Sequence, residues 1–159
     1  MLGRLFSRNV ARSLVAALAV LAAGLLHAAP AQAAYGAQLP VTVQVVDGDW
    51  HYNQNLGKAS GWVQFDSGKK KFRYSLTVDR QSSYTPPDVL IYANGSLAVT
   101  EWNAQGTISG EFTHSYDVVY VRVVIQGDTF HGSQYVSYRS DGGGENHGSS
   151  YGRVYNPYV

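Results

Sequence analysis

The chain contains no cysteine. That absence removes disulfide cross-links, thiol catalysis, iron–sulfur clusters and zinc–thiolate sites together. A small domain without cross-links is held by packing, and three Trp and twelve Tyr supply large side chains for it. Helical patterning is equally scarce. Beyond residue 34 no stretch sustains an apolar 3.6-residue repeat, whereas alternation with period two is frequent. Long apolar runs are confined to residues 13–26, shorter than the about 20 residues that span a bilayer.

That run follows Arg4, Arg8 and Arg12 and precedes the small-x-small triplet Ala31-Gln32-Ala33. Basic, apolar, then small is the layout of a secretory signal, so residues 1–33 are expected to be cleaved off and the protein secreted to the extracellular space. Three of the 12 Lys+Arg and none of the 11 Asp+Glu lie in that segment. The remaining 126 residues therefore carry nine basic against eleven acidic groups, a formal −2. A nucleic-acid partner normally needs a basic face. The one basic run, "KKKFR", reads as an ordinary solvated strand face. After signal cleavage no membrane association is expected.

Val, Tyr, Thr, Ser and Gly fill the rest, as strands and tight turns require. Residues 34–140 read as a single all-β domain, an antiparallel β-sandwich of about seven to eight strands. An immunoglobulin- or fibronectin-like layout is expected, with a small β-barrel as the alternative. In "KFRYSLTVD" Phe72, Tyr74, Leu76 and Val78 share one face. A tight turn at residues 66–69 would set Val63 opposite Phe72 and Trp62 opposite Arg73, an aromatic–cation pair on the polar face. Asn94-Gly95 suits a type I′ hairpin turn, pairing Tyr92 with Leu97 and Leu90 with Val99. Asn94-Gly95-Ser96 also matches a glycosylation sequon. "DVVYVRVVIQ" is apolar enough to be a central strand. A turn at Gly127-Asp128 would then pair Val119 with Val136, Ile125 with Phe130 and Tyr120 with Tyr135. Residues 141–159 form a Gly/Tyr-rich tail, either mobile or docked through Tyr151, Tyr155 and Tyr158.

Chemistry is harder to place. In "VVDGDWHYNQN" polar groups alternate at Asp47, Asp49, His51, Asn53 and Asn55. An EF-hand loop counted from Asp47 would need Gly at Tyr52 and Glu at Lys58, so that reading fails. The remaining readings are a turn at the strand end, a looser calcium site on Asp47 and Asp49, or a ligand edge presenting Trp50 and Tyr52. The Asn94-Gly95 hairpin also sets Asp88 opposite Glu101, but at a hairpin mouth this reads as fraying rather than a carboxylate dyad. His51, His114, His131 and His147 lie on separate segments without metal-ligand spacing. Residues 148–152 fit GxSxG and residues 67–70 fit SxxK by letter, but neither is followed by the helical pattern that presents a nucleophilic serine, and no phosphate loop occurs.

No catalytic residue, metal or cofactor is assigned on these grounds. The expected role is a non-catalytic binding protein whose ligand is a cell-surface polysaccharide or another extracellular protein. Trp50, Tyr52 and Trp102 are its first candidate contacts, and Trp62 with Arg73 a second patch. An alternative is inhibition of an extracellular protease through the 80–88 loop, where Tyr84 stands beside Pro86-Pro87. A hydrolase would require dispersed groups, such as Asp49, His51 and His114 or His131, to converge.

Overall fold

The computed structural model describes residues 34–49, 51–52, 54–140 and 152–159. The expected signal segment, Trp50, Asn53, His147 and Tyr151 lie outside them. Among the described residues, nine strands form two antiparallel sheets. The first runs in the order β1 (Leu39–Val46), β2 (Asn55–Phe65), β3 (Lys71–Arg80), β6 (Gly106–Thr113). The second runs β5 (Ser96–Glu101), β4 (Asp88–Ala93), β7 (Tyr120–His131), β8 (Gln134–Arg139), with β9 (Arg153–Tyr155) also on β7. The described residues contain no helix and the sheets do not close into a barrel, so the expected β-sandwich is what forms. In an immunoglobulin domain the third strand crosses to the other sheet. Here β1, β2 and β3 meander within one sheet and β4 makes the crossing.

Alternation explains which side chains meet. Val41, Val43 and Val45 of β1 and Phe72, Tyr74, Leu76 and Val78 of β3 point inward against Val89, Ile91, Val121, Val123 and Ile125 of the second sheet. Glycine permits two close approaches. A Cβ on Gly61 would lie 2.0 Å from the Ser75 carbonyl oxygen of β3. One on Gly127 would lie 2.7 Å from Leu56 Cβ and 3.0 Å from Val45 Cγ1.

Gly127 therefore serves inter-sheet packing, not a turn. β7 continues through Asp128 to His131 and turns at Gly132, whose φ is +66°. The expected pairings shift accordingly: Phe130 faces Tyr135, Thr129 faces Val136 and Tyr120 faces Tyr155.

Two other registers also differ. The β2–β3 connection is wider than a tight turn, with Lys69 at φ 69°, so Phe65 pairs with Phe72, Trp62 with Ser75 and Gln64 with Arg73. A two-residue shift keeps every side chain on its expected face. Asn94 and Gly95 take the positive φ values of the type I′ turn, and Tyr92 does face Leu97. A bulge at Ala98 then moves Leu90 opposite Thr100 and Val89 opposite Glu101. The Asn94 side chain is occupied, donating to Asp117 O and accepting from the Val119 N–H, which leaves the sequon's amide committed to structure.

Tyr74 bridges the two sheets near the β5 and β6 edges. Its buried hydroxyl donates to Glu101 Oε1 at 3.2 Å. Burial, then the Glu101 charge, pushes its pKa up to about 12. The unfolded hydroxyl ionises near 10, so its contribution is complete below pH 10 and is lost as pH rises towards 12. Urea unfolding at pH 8 and pH 11 is expected to show this loss, and Tyr74→Phe to reduce it by about 2 kcal/mol at most. An unchanged pH dependence in that variant would assign the loss elsewhere.

Candidate functional site

At one end of the sandwich three loops (47–54, 81–87 and 102–105) gather with the 132–133 turn. β7 delivers two sets of side chains there. Alternation turns Thr129 and His131 inward and puts Asp128 and Phe130 on the outer face.

The inward set forms a clamp. His131 Nε2 lies 2.6 Å from Asp47 Oδ2, and the Asp47 side chain has no exposed surface. His131 Nδ1 lies 3.5 Å from Asp49 Oδ2. Asp47 Oδ1 accepts the Asp49 N–H and Asp49 Oδ1 the His51 N–H, each at 2.9 Å. These are successive Asx turns. His51 Nδ1 also approaches Asp49 Oδ1 at 3.0 Å. The His51 backbone N–H, then its ring, holds the Asp49 carboxyl below its ordinary range. Tyr52 stacks on His131, ring centroids 4.1 Å apart and planes within 10°.

The alternating oxygens at 47 and 49 thus fold the loop. Among the described residues no group of three or more His, Asp or Glu is placed to hold a metal. Asp49, His51 and His131 do converge, as a dispersed catalytic site would require. However, both His131 nitrogens face carboxylate oxygens, whereas a base that activates a nucleophile keeps one nitrogen for it. What the arrangement does is fasten the 47–54 loop to the β7–β8 turn.

The outward set forms a platform. Tyr84, Phe130 and Tyr135 are 60%, 40% and 54% exposed yet touch one another. Tyr84 and Phe130 meet edge-on at 4.7 Å, and Phe130 and Tyr135 at 5.6 Å. Asp128 ties down the two tyrosines that flank Phe130. It accepts the Thr85 hydroxyl at 2.9 Å, the Thr85 N–H at 3.3 Å and the Tyr135 hydroxyl, and its carbonyl accepts the Tyr84 N–H at 2.7 Å. Donation to Asp128 pushes the Tyr135 hydroxyl up to about 12. Arg80 donates to the Ser83 and Tyr84 carbonyls, so the loop's backbone is bonded from both sides.

No family model, curated protein or solved structure matches the chain.

Of the candidates named from sequence, Tyr52, Tyr84 and Trp102 stand at this end, with Tyr52 on the clamp, Tyr84 on the platform and Trp102 on neither. Residues 51–52 occupy a turn, and Trp50, the other half of the expected edge, is outside the described residues. Trp102 is 68% exposed in the turn after β5 and makes no ring contact among the described residues. Trp62 and Arg73 lie on the outer face of the first sheet and are engaged structurally. The Arg73 guanidinium sits 4.3 Å from the Tyr35 ring and 5.9 Å from Trp62, and donates to Gln64 Oε1 at 2.8 Å. Tyr35 in turn donates to Glu111, and Gln64 to the Gly36 carbonyl, so this patch anchors the segment leading into β1. Asp88 accepts the Asn103 N–H while Glu101 takes Tyr74, which separates that suggested carboxylate pair. His114 lies at the opposite end, accepting the Tyr116 N–H. Phe130 and Tyr135 were not legible as site residues, because a turn at Gly127-Asp128 scatters them. The signal that finds them is continued alternation up to "HGSQ", a hairpin loop with Gly at its first central position.

Proposed function

We propose that this is a secreted, non-catalytic binding protein that holds an extracellular glycan on Tyr84, Phe130 and Tyr135. The observation that carries the reading is a row of three exposed rings, Phe130 touching both Tyr84 and Tyr135, with Asp128 bonded on either side of it. Exposed aromatic surface that is already rigid lowers the ordering cost of binding. Aromatic faces suit the apolar faces of sugar rings, and Thr85, Asp128 and the tyrosine hydroxyls supply polar partners beside them. The inhibitor alternative has less support: Ser83 and Pro87 are buried, so the 80–88 loop lies against the domain instead of standing off it.

Co-sedimentation with a panel of insoluble cell-wall and storage polysaccharides tests the proposal. At least one should retain the protein. Tyr84→Ala and Phe130→Ala should each weaken that retention about tenfold or more, as central aromatic contacts do. Tyr116→Ala, an equally exposed ring at the other end, should change nothing. Equal effects from all three variants would move the site off the platform. No retention by any glycan would remove the sugar reading.

A further inference from the structure

A second feature lies on the outer face of the second sheet, towards the opposite end of β7. Arg122 and Arg153 are direct cross-strand partners of β7 and β9. Like charges placed opposite one another are unfavourable. Each guanidinium is stacked on a ring, Arg122 4.7 Å from Tyr92 and Arg153 4.7 Å from Tyr120. Tyr155 packs beside Tyr120 at 6.0 Å and accepts from Arg153 at 3.5 Å. Among the described residues neither arginine has a carboxylate within ion-pair distance. Arg122 Nε is buried without a hydrogen-bond partner. The rings hold two donor forks in place, and among the described residues their one acceptor is the Tyr155 hydroxyl, with no carboxylate.

Guanidinium forks match the paired oxygens of carboxylates, sulfates and phosphates. An anion seated between Arg122 and Arg153 would remove their repulsion. The flanking tyrosines offer flat apolar faces, which a sugar backbone can cover. We propose that Arg122 and Arg153, with Tyr92, Tyr120 and Tyr155, form a site for an acidic polysaccharide. This site is separate from the Tyr84 platform and stands whether or not that platform binds sugar. Bulk charge does not account for such binding, since residues 34–159 carry a formal −2.

Affinity electrophoresis of the exported protein through gels containing polygalacturonate, dextran sulfate or neutral dextran tests this. At least one polyanion should retard the protein, and dextran should not. Stronger retardation by polygalacturonate assigns a carboxylate ligand, and by dextran sulfate an ester of sulfate or phosphate type. Arg153→Gln, at an exposed position, should weaken retardation at least fivefold. Arg122→Gln should do the same with an unchanged thermal midpoint. Lys69→Gln with Lys70→Gln, and separately Tyr84→Ala, should leave it intact. Full retardation of the double arginine variant would overturn the proposal. So would indifference of the wild type to both polyanions, or a loss in the lysine or Tyr84 variants as large as that in Arg153→Gln.

Discussion

Replacing His131 with alanine is expected to destabilise the domain by about 3 kcal/mol, the cost of leaving a buried carboxylate oxygen without its hydrogen-bond partner. Asp47 is fully enclosed, and its Oδ2 has His131 as its partner. Removing the imidazole leaves that oxygen beside the void the ring filled. It also removes the surface on which Tyr52 stacks. Asp47→Asn is expected to cost less, because the amide keeps an acceptor for the Asp49 N–H and buries no charge. The double variant should then fall well short of the sum of the two single losses. Urea unfolding of the three variants measures this. A loss below about 1 kcal/mol for His131→Ala would mean that the loop relaxes to hydrate Asp47. The clamp would then hold little of the 47–54 loop in place.

Gly61→Ala is expected to lose about 3 kcal/mol, at the upper end of ordinary overpacking. The added methyl would meet the Ser75 carbonyl oxygen at 2.0 Å and Leu76 Cα at 2.9 Å. Both are backbone atoms of β3, between β2 and β6, and cannot rotate away as a side chain would. Gly106→Ala makes the informative comparison. Nothing lies within 4 Å of its Cβ position, but its φ is +75°. Its cost is conformational alone, about 1–2 kcal/mol. If the two variants unfold at the same urea concentration, β2 and β3 separate more readily than their packing implies.

Periodicity made much of the sandwich legible. The alternation of Val41, Val43 and Val45 and of Phe72 to Val78 marks inward faces directly, and Asn94-Gly95 marks its turn. Glycine was the ambiguous letter. At Gly132 it supplies a positive φ; at Gly127 it supplies room for Leu56 and Val45. Sequence pattern alone does not separate these uses. Reading Gly127 as a turn displaced Phe130 and Tyr135, and with them the platform. The clamp was hidden for a different reason. Asp47 and His131 are 84 residues apart, and local alternation carries no record of which strand ends share an end of the sandwich. Tyr84 was legible because Pro86-Pro87 announces a stiff loop. That Asp128 would fix it was not, since that needs the β7 register.

The docking of β9 sets an order of events. Val154 enters the core between residues contributed much earlier in the chain, and Asn156 binds the Val118 carbonyl with its side chain. Gly36, ahead of β1, lies so close to Tyr158 that a Cβ there would sit 2.1 Å from the hydroxyl. Residue 36 therefore waits for residue 158. While the chain is being synthesised or threaded across a membrane, it has no complete native state to fall into. Such long-range closure slows folding. Under the secretion proposed above, that delay would keep the chain threadable until residues 153–158 had crossed.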